Sequence, residues 1–124
     1  MRKDLGMRKG KMIAQGAHAS MMFLVKGAEA QRSFFHDDIK LKKSITVEQD
    51  RLLTGKFTKI CVSVDSEEEM QAIHDAAIAV GIESHMVTDA GLTEFDGVPT
   101  KTCIALGPDY SSRIDQLTGH LKLL

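Results

Sequence analysis

Lys11, Gln15 and His18 follow one another at i, i+4 and i+7. On a helix turning about 100° per residue they fall within roughly 60° of each other. A cation, an amide and an imidazole on one stripe, preceded by Arg8 and Lys9, suit a phosphate-bearing ligand, because Lys and Arg hold nucleic-acid backbones as point charges. The same stripe also suits a helix face turned to water, and spacing alone leaves both readings open. A second group lies between residues 88 and 102, where Asp89, Thr93, Thr100 and Thr102 alternate with the shape-setting Gly91, Gly97 and Pro99. Open α/β folds place their sites in loops at strand ends. Turn-forming composition alone accounts for the same loop.

Other chemistries lack their residues. G-x-G-x-x-G, G-x-x-x-x-G-K-[ST], G-x-S-x-G and C-x-x-C are absent from the chain. His18, His36, His74, His85 and His120 show no metal-ligand spacing, so neither a metal nor another cofactor is expected. Cys61 and Cys103 have no neighbouring activating base and are expected as core residues on strands. Phe23, Phe34, Phe35, Phe57, Phe95 and Tyr110 are scattered, unlike the aromatic platform of an RNA-stacking sheet.

These residues need a scaffold, and 124 residues allow a single domain spanning 1–124. A chain of this size with 43% hydrophobic residues buries enough surface to fold without disulfides or metal. No run of 18 apolar residues occurs and the N-terminus lacks a signal-peptide core, so a cytoplasmic protein without membrane contact is expected. The formal net charge of −1 hides an asymmetry. Residues 1–60 carry 13 basic and 6 acidic side chains, whereas residues 61–124 carry 3 and 11. Such a division favours a polyanionic partner for the basic half, unless the fold interleaves the halves.

The periodicity predicts a helix over 10–31, with Ile13, Ala17, Met21, Leu24 and Ala28 as its apolar face and the Lys11–Gln15–His18 stripe opposite. The run Met21-Met22-Phe23-Leu24-Val25 is expected to be core, against the alternative of an exposed adaptor patch. Residues 32–57 read as irregular, with solvated Asp37, Asp38 and Lys40–Lys43, save for a short helix from Thr46 to about Leu53. Strands follow at 57–64, 82–87 and 102–106. Between the first two lies a helix with a Ser66/Glu69 capping box, a buried face of Met70, Ile73, Ala77 and Val80, and a stop at Gly81. A last helix covers 110–118, and the tail is expected to pack along the domain. Strands 58–64 and 82–87 should form a right-handed parallel unit, with the third strand returning antiparallel.

Four ordered segments carry a resemblance. Met7-Arg-Lys-Gly-Lys-Met-Ile-Ala-Gln-Gly-Ala-His-Ala19, Thr88-Asp-Ala-Gly-Leu-Thr93, Pro99-Thr-Lys-Thr-Cys-Ile-Ala-Leu-Gly-Pro108 and Thr118-Gly-His-Leu-Lys-Leu123 resemble the motifs of the type-2 peptidyl-tRNA hydrolases. The resemblance implies an enzyme that cleaves the ester between a peptide and the 3′ end of tRNA, with no metal and often as a homodimer. It implies peptidyl-tRNA as the partner, not DNA or a membrane. It also implies a small three-layer α/β sandwich, with helices on both faces of a mixed, mainly parallel four-stranded sheet. An apolar strand ordinarily precedes the Arg2-Lys3-Asp4-Leu5 segment in this family. It is missing here, so a longer natural chain is expected.

By motif position the functional residues of that family fall on Lys11, His18, Lys59, Asp89, Thr93 and Thr102. Arg8, Lys9, Gln15, Thr100 and Lys101 are expected to contact the substrate. Asp89 is the expected carboxylate for orienting or activating water, with Thr hydroxyls and loop amides for the oxyanion. A non-catalytic RNA-binding or translation-associated module is the alternative, and it would not need Asp89 and Thr93.

Overall fold

The computed structural model describes residues 1–32 and 39–124. In chain order these hold α1 (Lys9–Val25), β1 (Glu29–Arg32), β2 (Ile39–Lys42), α2 (Val47–Thr54), α3 (Glu67–Ala79), β3 (Ser84–Asp89), a 3-10 turn (Phe95–Gly97), β4 (Thr100–Leu106) and α4 (Ser111–Thr118). The chain is α/β, with α1 and α3 both packed on the β3–β4 pair. No described helix is long and apolar enough to cross a membrane.

Helix α1 corrects the sequence reading twice. It ends at Val25 rather than continuing to 31, because Gly27 takes a left-handed φ of 75° and the chain then enters β1. Its buried face is Gln15, Ala19 and Phe23. The expected apolar face is turned outward, with Ile13 73% and Met21 49% exposed. A polar stripe packs inward when partners wait for it, and Gln15 meets Asp89 and Thr102 beneath the helix. The apolar side of α1 is supplied by Ala19, which joins a core of Met1, Met7, Val87 and Cys103, with Met12 and Met22 packed against it.

The described pairings form two antiparallel two-stranded sheets, β1–β2 and β3–β4. The expected parallel unit of 58–64 with 82–87 is not among them. Residues 58–61 form no strand, and the parallel pairing is confined to one bridge, Arg2 with Val64. Residues 1–3 run beside Val62–Val64 and β4. The Met1 ammonium donates to the Val62 carbonyl (2.8 Å), Val64 N–H to Met1 (3.0 Å) and Arg2 N–H to Thr102 (3.0 Å). The tail packs as expected, with Leu123 bridged antiparallel to Val62. Cys103 is buried, whereas Cys61 is exposed, contrary to its expected core place.

The β3–β4 register carries the irregularity that matters for the site. Val87 faces Cys103 and Thr88 faces Lys101, so Thr102 is left without a partner on β3. This is a β-bulge, which bends a strand and re-aims its side chains. Thr102 and Cys103 are consecutive and both buried. Both contact Gln15 of α1: the Thr102 hydroxyl reaches its side chain and the Cys103 thiol its carbonyl oxygen. Lys101 turns to the other helix and donates to Gln71 of α3 (3.0 Å).

Helix α2 is capped by Thr46, with Gln49 as the reciprocal partner, and closes at Gly55. Ser66 caps α3, but Glu69 reaches back to the amide of Asp65, one residue further than the capping box requires. Met70 and Ala77 are buried beneath α3, while Val80 is exposed. Lys40 and Lys42 are exposed as expected, but on β2 rather than in irregular chain. The expectations for Phe34, Phe35, His36, Asp37 and Asp38 lie outside the described residues.

Candidate active site

A cavity of about 490 Å³ opens between α1 and the loop after β3, lined by Arg8, Gly10, Lys11, Ala14, Gln15, His18, Asp89, Thr93 and Glu94. Gly10 and Ala14 are small where the stripe residues are large, and this leaves room beside Lys11. Asp89 is the last residue of β3, not a loop residue, so its backbone is fixed by pairing with Thr100. Beyond it the loop folds back on itself. Gly91 stands at a φ of 81°, where a Cβ would lie 2.5 Å from the Val98 carbonyl oxygen, so only glycine fits.

Asp89 is the centre of the polar contacts. Its Oδ2 accepts from Lys11 Nζ (2.6 Å) and from Gln15 Nε2 (2.8 Å), and its Oδ1 from the Gly91 N–H (2.8 Å). The Lys11 bond, then the Gly91 amide, hold its carboxyl below the ordinary range against the opposing pull of desolvation. The carboxylate is therefore ionised at neutral pH. An ionised carboxyl has about four lone-pair positions, and three are filled, which leaves one on Oδ1.

Lys11 is placed with similar economy of donors. Its ammonium has three N–H groups. One goes to Asp89 and one to Thr93 Oγ1 (3.1 Å), and the ring of Phe95 lies 5.7 Å away. One N–H remains for a ligand in the cavity. Thr93 accepts from Lys11 and keeps its own hydroxyl proton to donate.

Gln15 and Thr102 lie beneath this layer, 2% and 0% exposed. Thr102 Oγ1 donates to Gln15 Oε1 (2.6 Å), and the other end of the same amide donates to Asp89. Burial raises the Cys103 thiol, so it stays protonated and is no nucleophile. His18 is exposed on the cavity rim.

The remaining candidates disperse. Arg8 is exposed at the cavity edge and binds Glu94 through Nε (2.7 Å). Lys9 is exposed and does not line the cavity, and Thr100 donates to the Val98 carbonyl (2.9 Å). Lys101 lines a separate hollow on α3 with Glu67, Glu68, Gln71, Ala72 and Asp75. Lys59 is exposed, with its ammonium 3.1 Å from the centre of the Phe57 ring and away from the cavity lining. The sequence reading gave no role to Glu94 or Phe95. Their proximity to Thr93 was the available signal. Among the described residues no group of His, Cys, Asp and Glu is arranged to hold a metal ion.

This arrangement can hold a polarised carbonyl or phosphoryl oxygen against Lys11 and Thr93, with a water against Asp89. Comparison with known proteins is consistent with such chemistry. The family model described as peptidyl-tRNA hydrolase PTH2 matches residues 1–124. A protein named peptidyl-tRNA hydrolase from Methanocaldococcus jannaschii is 38% identical over 124 residues, covering 100% of this chain and 95% of its own. Proteins of the same name from Thermoplasma volcanium (35% identical) and Methanothermobacter thermautotrophicus (36% identical) cover 100% of this chain and 93% and 95% of their own.

Proposed function

The chain belongs to the PTH2 family of peptidyl-tRNA hydrolases, and from that premise we infer that it hydrolyses the ester joining a peptide or an N-blocked amino acid to the 3′ end of tRNA. The observation that carries the reading onto this chain is the Lys11–Asp89–Thr93 cluster in an open cavity. The free lone pair on Asp89 Oδ1 aligns a water on the ester carbonyl carbon. Its depressed basicity makes it an aligning acceptor rather than a strong base. The remaining Lys11 N–H and the Thr93 hydroxyl meet the oxygen that becomes negative as water adds. One such donor is typically worth about 10²–10³ in rate. The C–O bond to the ribose then breaks, and the proton from water ends on the ribose oxygen of the released tRNA.

His18 and Arg8 stand at the rim, where the terminal ribose and its phosphates arrive, and Lys9 extends the same basic edge. Lys59 and Lys101 lie beyond that edge and would meet tRNA only outside the reacting end. The β3–β4 pair, residues 1–3 and Val62–Val64 make one mixed sheet in this reading. Ile13, Met21 and Val25 on the outer side of α1 offer an apolar stripe to a homodimer. A cytoplasmic location goes with a substrate made by translation.

The test is turnover of N-acetyl-aminoacyl-tRNA by the purified protein, with free aminoacyl-tRNA as control. Hydrolysis of the blocked substrate, lowered about 10²-fold or more in Asp89→Asn, is expected. A folded Asp89→Asn variant with an undiminished rate removes Asp89 from the reaction.

A further inference from the structure

We infer that Thr102 and Gln15 are positioning residues, in which the buried Thr102 hydroxyl anchors the acceptor end of the Gln15 amide and so holds its donor end on Asp89 for the reaction proposed above. The inference rests on that reading of the site and deepens it.

The first observation is access. Thr102 is 0% exposed and Gln15 is 2% exposed, so no substrate group reaches the threonine hydroxyl. Its proximity to the reacting atoms is through another side chain. The second is direction. A glutamine amide has an acceptor end and a donor end of nearly equal shape, and only its surroundings decide which end points where. Thr102 Oγ1 lies 2.6 Å from Oε1, while Nε2 lies 2.8 Å from Asp89 Oδ2. The reversed amide would set Oε1 against a carboxylate that is ionised, two acceptors facing each other without a proton. The carboxylate therefore fixes which end of the amide faces it, and the hydroxyl, which donates to Oε1, anchors the other end.

The third observation is how Thr102 comes to be there. Regular alternation would send adjacent β4 residues to opposite faces of the sheet. The bulge leaves Thr102 outside the ladder with β3 and turns both Thr102 and Cys103 toward α1. The displaced backbone is held from the other side, where the Arg2 N–H donates to the Thr102 carbonyl (3.0 Å). The fold thus places an irregular residue so that its hydroxyl, among the described residues, hydrogen-bonds to Gln15, the Val87 carbonyl and the Cys103 sulfur. A core position with no task toward the site is filled as well by valine, which has the same shape.

The experiment compares Thr102→Val and Thr102→Ser with the unaltered protein on N-acetyl-aminoacyl-tRNA. Loss of one neutral hydrogen bond sets the expected fall in kcat at between about 3- and 10-fold, with KM little changed. Thr102→Ser restores the rate. In Thr102→Val the acid limb of the pH profile moves upward, because Asp89 loses a fixed donor. A merely structural threonine would lower stability without moving that limb. Unchanged kcat and acid limb in folded Thr102→Val overturn the inference, and so does a loss that Thr102→Ser fails to rescue. A second measurement needs neither substrate nor a folded variant. In the unaltered protein the Gln15 side-chain NH₂ resonances should shift with the ionisation of Asp89 in an acid titration. Resonances that ignore that titration overturn the inference even where tRNA hydrolysis is observed. Absence of hydrolysis by the unaltered protein defeats the functional reading and leaves the amide titration still decisive for the positioning.

Discussion

The Lys11 ammonium and the Asp89 carboxylate, 78 residues apart in the chain, meet at 2.6 Å with side chains 12% and 14% exposed. Neither is buried deeply enough to make the pair a large desolvation burden, and neither is free enough to be a screened surface contact. The pair exists only when α1 is docked across the end of β3. The site is thus a product of tertiary structure, and its electrostatics report on that docking.

One prediction concerns pH. Lys11 is the chief cause of the lowered Asp89 carboxyl, whose ordinary value is 3.8. For a carboxyl depressed in the folded state, the stability it contributes is fully present above the ordinary value and is lost as pH falls through the lower folded value. The ion pair therefore persists through neutral and mildly acid conditions, and the Asp89-dependent acid limb of turnover lies below the ordinary carboxylate value. Replacing Lys11 by Met moves the Asp89 carboxyl upward. A carbon NMR titration of Asp89 in both proteins reads this directly. An Asp89 titration that is the same in Lys11→Met and the unaltered protein would contradict it.

A second prediction concerns the cavity edge. Arg8 is exposed, but its guanidinium is engaged by Glu94 at 2.7 Å. A tRNA phosphate arriving at the rim competes with that carboxylate for the arginine. Glu94→Gln should strengthen tRNA binding. Arg8→Ala should weaken it and reduce the slope of log affinity against log salt by about one. Binding measured across a potassium chloride series separates the two. A salt slope that is the same for Arg8→Ala and the unaltered protein would show that Arg8 meets no phosphate.

A third concerns the outer side of α1. Ile13, Met21 and Val25 are 73%, 49% and 48% exposed, a continuous apolar stripe on a helix without an acidic residue. If two copies meet there, the contact is self-complementary, and one charge placed in it acts twice. Ile13→Asp and Met21→Asp should each convert a dimer seen by light scattering into a monomer, with turnover per chain unaltered. A monomer in the unaltered protein at the same concentration would exclude the stripe as a dimer contact.

Much of the site was legible in local spacing, and the part that was not depended on what lay opposite. Lys11, Gln15 and His18 do share one edge of α1 and do line one cavity with Asp89 and Thr93. The apolar periodicity of Ile13, Ala17 and Met21 pointed to the wrong face, because hydrophobic spacing ranks a helix's faces without knowing that Gln15 has two buried partners. Helix α2 was readable, since the signals that start and stop it are local. The β1–β2 pair was not readable. Its exposed strand carries Lys at alternate positions and no buried side. The bulge at Thr102 was invisible too. It depends on the register between strands more than ten residues apart. Lys59 and Lys101 do not line the cavity.

The bulge also makes the length of β4 a functional quantity. Removing one residue between Pro99 and Thr102 would let β3 and β4 zip into a regular ladder, with every hydrogen bond of the pair retained. The hydroxyl beneath Gln15 would then face α3 or disappear into the turn. Such a chain could keep its sheet, its core and its thermal midpoint while losing the order around Asp89. Tolerance to substitution at the exposed positions of this strand and tolerance to a one-residue deletion are therefore different properties, and the second is governed by the active site.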